Sequence, residues 1–219
     1  MVEAKLNQDF GGVLSSFDLL LPDGMPIRWV MNARGARLPD RVYGPYLMRY
    51  VIQHSPAPYR HFLFGGSPEC LRQLQERLLQ LQPKLQIVGT ISPPFSRWSE
   101  TDEENFAREI SKVDPDFIWV ALGGVKQETW IAKNKFRHRR GVFLAVGDAF
   151  ELLAGRRSFA PVWMQRAGLT WVYRLAQEPR RLWKRYLFCN AAFIFLILTQ
   201  CFRRSKPPTG PASSHVDMP

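Results

Sequence analysis

Two short stretches carry residue types that can do chemistry. Asp23 stands in "LLLPDGM" and Arg41 in "LPDRVYG", each with a glycine close behind. A carboxylate at the mouth of a site can take the proton from an attacking hydroxyl. A guanidinium can neutralise phosphate oxygens. Each also has a plain structural reading: Asp-Gly is a common turn pair, and a loop arginine can be merely solvated. In "GGVKQETW", Gln127 and Glu128 fall in the first turn after Gly123 and Gly124. There they can hydrogen-bond sugar or base hydroxyls, or simply supply the polar start of a helix. In "GDAFELLAG", Asp148 and Glu151 can face a pocket or cap a helix. "VDPDF" offers Asp114 and Asp116 in a spacing that many sugar transferases use for a divalent metal, but it precedes a predicted strand and reads as a turn. His54, His61, His138 and His215 show no ligand spacing, so no metal site is predicted.

The elements that must position these residues follow from hydrophobic patterning. Short β-rich apolar runs at 17–21, 61–64, 85–89, 116–123 and 142–147 read as buried strands. Between them, 68–82 has Leu71, Leu74, Leu78 and Leu79 at helical spacing, 102–113 has an acidic first turn, and 125–136 follows a glycine pair. Alternating strands and helices predict an α/β fold, a Rossmann-like, mostly parallel sheet with helices on both faces. Such sheets bind ligands beyond the C-terminal ends of their strands. Four loops at that edge carry glycine or charge: Asp23-Gly24, Gly65-Gly66, Gly123-Gly124 and Gly147-Asp148. Glycine admits close backbone approach, and a following helix N-terminus favours an anion such as a diphosphate.

The charge of the chain is uneven. Its 30 Lys and Arg exceed its 19 Asp and Glu, and eleven of the cations lie between Arg156 and Lys206 against one acid, Glu178. The first 155 residues are nearly neutral and apolar enough for one packed body, which excludes a mainly disordered chain. Three cysteines without paired spacing fit a reducing compartment, and the start lacks a basic-then-apolar secretion signal. Read as one helix, Arg174, Arg181, Lys184 and Arg185 share a face, with Trp183, Tyr186, Leu187 and Asn190 nearer the other. The apolar run from Leu187 to Phe202 would be roughly 24 Å long, short of the roughly 30 Å hydrocarbon core. Lying in an anionic membrane surface is therefore preferred over spanning. Nucleic-acid binding through the basic quarter ranks last, because a sequence-reading helix has little use for "AAFIFLIL".

Taken together, "LLLPDGM", "LPDRVYG", "FLFGGSPE", "DFIWVALGGVKQE" and the long block from "VGDAFELLAG" to "RRLWKRYL" resemble the WecG/TagA/CpsF glycosyltransferase family, over roughly residues 14–200. The resemblance implies an inverting hexosyltransferase without an obligatory metal or other cofactor. It would move a sugar from a UDP-sugar onto a polyprenyl-diphosphate-linked saccharide in bacterial cell-surface polysaccharide synthesis. It also implies a peripheral or monotopic place at the cytoplasmic face of the inner membrane, with self-association into a homo-oligomer possible. Asp23 falls on the family's base and Arg41 on its "RV-x-G" arginine. Gln127 and Glu128 match its "KQE", and Arg174, Arg181 and Arg185 match residues expected near diphosphate. The expected organisation is a catalytic core over 1–160, a helical membrane-docking appendage over 161–206 and a disordered tail over 207–219. Departures are Gly124 and Val125 in place of Ser and Pro, Asp148 and Glu151 in place of Gly or Ala and Asp, and Thr170 in place of an acid. Family members usually begin with a further strand ending in Thr-x-Asn, which "KLNQDF" does not match. The alternative is a non-catalytic, N-terminally truncated peripheral membrane module of a polysaccharide assembly complex.

Overall fold

The computed structural model describes residues 2–55, 58–96 and 98–204, with the side chains of Leu6, Arg185 and most of those beyond Ile197 left out. The tail expected over 207–219 lies outside the described residues. The chain opens with α1 (Val2–Leu6) and α2 (Gln8–Ser15), the latter capped by the Asn7 side chain, which accepts the Phe10 N–H. Next come α3 (Met25–Asn32) and α4 (Gly44–His54). The sheet then alternates with helices: β1 (Arg60–Gly65), α5 (Pro68–Leu81), β2 (Gln86–Ile91), α6 (Glu100–Lys112), β3 (Phe117–Ala121), α7 (Gly124–Asn134) and β4 (Val142–Ala145). After α8 (Ala149–Leu153), three helices finish the described chain: α9 (Val162–Arg166), α10 (Thr170–Gln177) and α11 (Pro179–Arg204).

The four strands are parallel and ordered β2-β1-β3-β4. Alternation along each strand divides the core. Leu63 and Trp119 point into a layer with Met48, Ile52, Leu71, Leu74, Leu78 and Phe150, which brings α4, α5 and α8 onto one face. Phe62, Phe64, Ile118 and Val120 point the other way, onto Ile110 of α6 and Trp130 and Ile131 of α7. This period of two, with both faces buried, is what a covered parallel sheet requires. Helix starts are written locally. Ser67 caps α5 by accepting the Cys70 N–H at 3.1 Å, and Ser99 and Asp102 form a reciprocal capping box on α6. Gly65 ends β1 at φ 125°, where a Cβ would stand 2.3 Å from the Ala121 carbonyl oxygen. Only glycine fits that turn.

Three expectations are corrected. Residues 17–21 form no strand: Phe17 packs on the sheet, but Leu19 is 70% exposed and Leu20 and Leu21 are exposed beside it. An apolar run supplies strand propensity, but a strand also needs a ladder partner, and this run joins no strand of the sheet. Second, α5 buries Cys70 with Leu71, Leu74 and Leu78, while Leu79 faces out. Third, Arg174 does not share a helix with Arg181, Lys184 and Arg185, because the chain breaks at Glu178 between α10 and α11. Among the described residues no helix is long and apolar enough to cross a membrane.

His61 shows how the core sets protonation. It is 2% exposed, and its Nδ1 accepts the Trp119 indole N–H at 3.1 Å. Burial pushes its pKa down to about 4, against a smaller opposing pull from Asp116. The unfolded chain takes up a proton below about 6.5, which folded His61 refuses until about pH 4. Stability is therefore held above pH 6.5 and lost as pH falls through that window. We expect this one group to remove about 2–3 kcal/mol between pH 7 and pH 4. In urea titrations across that range, His61→Phe should be less stable at pH 7, because the Trp119 N–H loses its acceptor, and should show a shallower decline. Parallel declines would remove His61 as the cause.

Candidate active site

A cavity of about 360 Å³ opens where the loop before α3, the loop before α4, α10 and α11 meet, with α1 along one side. Asp23 and Gly24, which caps α3, form part of its floor, and Arg41, Tyr43, Thr170, Trp171 and Arg174 stand around them. Tyr186, Cys189, Asn190 and Phe193 of α11 form the facing wall. The site thus has an ionic end and an aromatic, largely apolar side.

Local contacts hold each piece in place. The loop leading to Arg41 is clamped by α3: Arg28 donates to the carbonyls of Leu38 and Pro39 at 3.1 and 2.7 Å. The Asn32 amide pairs both ways with the Leu38 backbone, at 3.0 and 2.6 Å. The Val42 N–H donates to the Pro22 carbonyl at 2.9 Å, which ties the Arg41 loop to the Asp23 loop. Gly44 then starts α4 against the end of β4, where a Cβ would lie 2.9 Å from the Val146 carbonyl oxygen. At this helix start the Gly44 N–H also favours the charged form of the Asp23 carboxylate.

The electrostatics form an alternating cluster. Asp23 is exposed to the cavity, and the protein atoms packed around its carboxylate bury it only in part. This burial raises its pKa from the usual carboxylate value, opposed by Arg41, reinforced by Asp148, and opposed again by the Gly44 N–H and Arg174. Arg174 Nη2 lies 3.1 Å from Asp148 Oδ2, both partly buried. The Arg41 guanidinium sits 4.3 Å from the centre of the Tyr43 ring. Burial, then Asp148, raises the Tyr43 hydroxyl well above its ordinary value, so it stays a proton donor. A carboxylate with a raised pKa between two cations is a base poised nearer neutrality than a free one. The cations are placed to receive negative charge.

Residues 1–207 match the sequence profile described as "Glycosyl transferase WecG/TagA/CpsF family". The chain belongs to this family. It is 29% identical over 182 residues to the N-acetylglucosaminyldiphosphoundecaprenol N-acetyl-beta-D-mannosaminyltransferase of Bacillus subtilis (strain 168), covering 83% of this chain and 69% of that protein. It is 30% identical over 186 residues to the like-named protein of Bacillus spizizenii (strain ATCC 23059 / NRRL B-14472 / W23), covering 84% and 70%. To that of Staphylococcus aureus (strain MW2) it is 24% identical over 180 residues, covering 82% and 69%. The chain is a hexosyltransferase-type enzyme.

In this glycosyltransferase the residues singled out from sequence fall into two groups. Asp23, Gly24, Arg41 and Arg174 line the cavity, and Asp148 stands behind Arg174. The others lie apart from it. Gly65 and Gly66 turn at the end of β1, where the Gly66 carbonyl accepts the Ser92 hydroxyl at 2.7 Å. Gln127 is buried, and its Oε1 accepts the Gly147 N–H at 3.1 Å while its Nε2 donates to Glu128 at 2.9 Å. Gln127 therefore supports the turn that presents Asp148. Glu151 pairs with Arg156 at 3.0 Å. Arg181 pairs with Glu178, and Lys184 lies over the Trp183 ring at 5.5 Å, both on the outside of α11. The Arg185 side chain lies outside the described residues. Asp114 and Asp116 pair with Arg140 at the opposite edge of the sheet, and among the described residues no group of His, Cys, Asp or Glu is arranged to hold a metal.

Sequence reasoning missed Tyr43 and Gln165. Tyr43 carried a signal, lying between Arg41 and Gly44 in "RVYG"; Gln165, 124 residues from Arg41, carried none. Asp148→Asn should lower the pKa of Asp23, because it removes a repelling charge and frees Arg174 to attract. The acid limb of the transfer rate against pH should then move to lower pH. An unmoved or upward-shifted limb would show that Asp148 does not act on Asp23.

Proposed function

We propose that the enzyme transfers a sugar, with inversion, from a UDP-sugar to a polyprenyl-diphosphate-linked saccharide during bacterial cell-surface polysaccharide synthesis. The observation that carries this reading is the placement of Asp23 between Arg41 and Arg174 in a cavity whose other wall is the apolar inner face of α11. The names of the relatives describe transfer of an N-acetylmannosaminyl group to an N-acetylglucosaminyl diphosphoundecaprenol, a lipid-linked acceptor of this chemical class.

In the proposed step the acceptor hydroxyl attacks the anomeric carbon as Asp23 takes its proton. The new C–O bond forms while the bond from that carbon to the β-phosphate oxygen breaks, and the electron pair leaves with UDP. Arg41 and Arg174 take the charge growing on the diphosphate, and the Tyr43 hydroxyl stays protonated to donate. One base and a cationic receptor suffice for a single displacement, so no metal is needed in this scheme. Holding both substrates in one cavity supplies the orientation that such a step requires.

The same reading makes residues 1–160 a Rossmann-like catalytic core and 161–206 an appendage docking the enzyme, peripherally, on the cytoplasmic face of the inner membrane. Leu187 and Phe195 are 68% and 66% exposed on the outer face of α11, with Phe188, Ile194 and Trp183 exposed beside them. Arg181 and Lys184 lie among these apolar side chains. Trp183 and Leu187 turn outward as an interfacial face should, whereas Tyr186 and Asn190 turn into the cavity.

Two measurements test this. Asp23→Asn should cost at least about 100-fold in transfer rate, the scale of general-base catalysis, with UDP affinity nearly intact; unchanged turnover removes Asp23 from the role. Leu187→Glu with Phe195→Glu should weaken cosedimentation with anionic vesicles by roughly tenfold or more, since each side chain withdraws apolar area from the bilayer. Unaltered binding would move the docking surface elsewhere.

A further inference from the structure

Arg41 reaches the cavity from a loop, and a loop arginine ordinarily samples many rotamers. Here its direction is fixed from across the molecule. Its Nη2 donates to Oε1 of Gln165, on α9, at 3.3 Å. The same oxygen accepts the Tyr46 hydroxyl at 3.0 Å, and Gln165 Nε2 donates to the Ala160 carbonyl at 2.8 Å. Two donors facing Oε1 and one acceptor facing Nε2 leave a single orientation for the amide. Gln165 is buried, and Tyr46 is itself held by stacking on Phe159 at 5.6 Å and edge-on contact with Tyr43 at 5.4 Å. Arg41 is thus gripped on one side by the Tyr43 ring and at its tip by an amide that cannot turn.

We infer that Gln165 is a positioning residue, a neutral strut that aims the Arg41 guanidinium into the cavity without cancelling its charge. This rests on the proposed reading of Arg41 as a diphosphate contact. The choice of an amide is what gives the contact its function. A carboxylate here would hold Arg41 more strongly, but it would neutralise the charge that an incoming diphosphate must meet. It would also turn an oxygen toward the Ala160 carbonyl, where the amide now donates.

The test is a double-mutant cycle on the full chain, read as UDP affinity by calorimetry for the parent, Arg41→Ala, Gln165→Met and the double variant. Gln165→Met keeps the packing volume and removes the polar grip. It should weaken UDP binding roughly tenfold, the scale of a lost hydrogen bond to a charged group. In the Arg41→Ala background it should change affinity by less than about twofold, because its effect runs through the missing guanidinium. Gln165→Glu, confirmed as folded by circular dichroism, should bind UDP less tightly than Gln165→Met. Losses that multiply, or a Gln165→Glu protein that binds UDP as the parent does, overturn the strut while leaving the role of Arg41 standing. If Arg41→Ala itself leaves UDP affinity unchanged, the diphosphate reading of Arg41 falls and the strut falls with it.

Discussion

The constraint on which the proposed site depends is electrostatic: Asp23 borders the cavity within the field of two guanidiniums, Arg41 and Arg174, and of a second carboxylate, Asp148. Its protein surroundings raise its pKa, and Arg41, the Gly44 N–H and Arg174 pull the other way, toward the charged form. Each cation then needs its own restraint. Arg174 has Asp148 as a counter-ion, and Arg41 has the Tyr43 ring and the Gln165 amide. The two arginines are held by different chemistry, one by an acid and one by neutral groups. On the proposed function, an arriving diphosphate would compete with the Asp148 ion pair at Arg174 and, at Arg41, with the through-space attraction of Asp23. Arg41 would then be the readier receptor, and Arg174 would have to be drawn from a standing ion pair.

The sheet contributes by delivering one turn. β4 ends beside Gly44, and the following Gly147-Asp148 turn is pinned by Gln127 from α7. The strand order reverses between β1 and β3, and parallel sheets offer a ligand crevice at such a point. Gly65 and Gly66 lie at that crevice, whereas the charged cavity lies past the end of β4. The C-terminal edge of the sheet therefore carries a glycine-turn region and a charged region side by side, and Gln127 of α7 braces the second through the Gly147 N–H.

What was legible in the sequence follows the range of the interactions. Four of the five expected strands and the helices after them rest on local patterning, which the flanking glycines and caps reinforce, and they sit within a few residues of their expected bounds. Asp23 and Arg41 were legible because each lies in a short motif whose glycine marks a backbone constraint. Residues 17–21 misled because apolar β-rich composition is a local signal and strand pairing is not. The partners of the two arginines could not be seen, since Asp148 and Arg174, or Arg41 and Gln165, meet only through the fold. The separation of Arg174 from the later cations was hidden as well. One unbroken helix was the simplest reading of a basic stretch, and it overlooked Glu178 and Pro179, whose break turns α11 away from α10.

That break gives α11 its two faces. Leu182 anchors it in the core, and Tyr186, Cys189, Asn190 and Phe193 follow at spacings of three and four along the side that walls the cavity. Trp183, Leu187, Ile194 and Phe195 lie on the side that meets solvent. A helix whose inner face completes a charged site and whose outer face is apolar cannot move at one without moving at the other. On the proposed function, seating the outer face in lipid would fix the inner wall at the depth where an isoprenoid-borne diphosphate lies. The cavity would then be most nearly complete when the enzyme is on the membrane that carries its acceptor. Such an arrangement needs no separate switch, because the surface that finds the acceptor and the surface that helps enclose it are two sides of one rigid element.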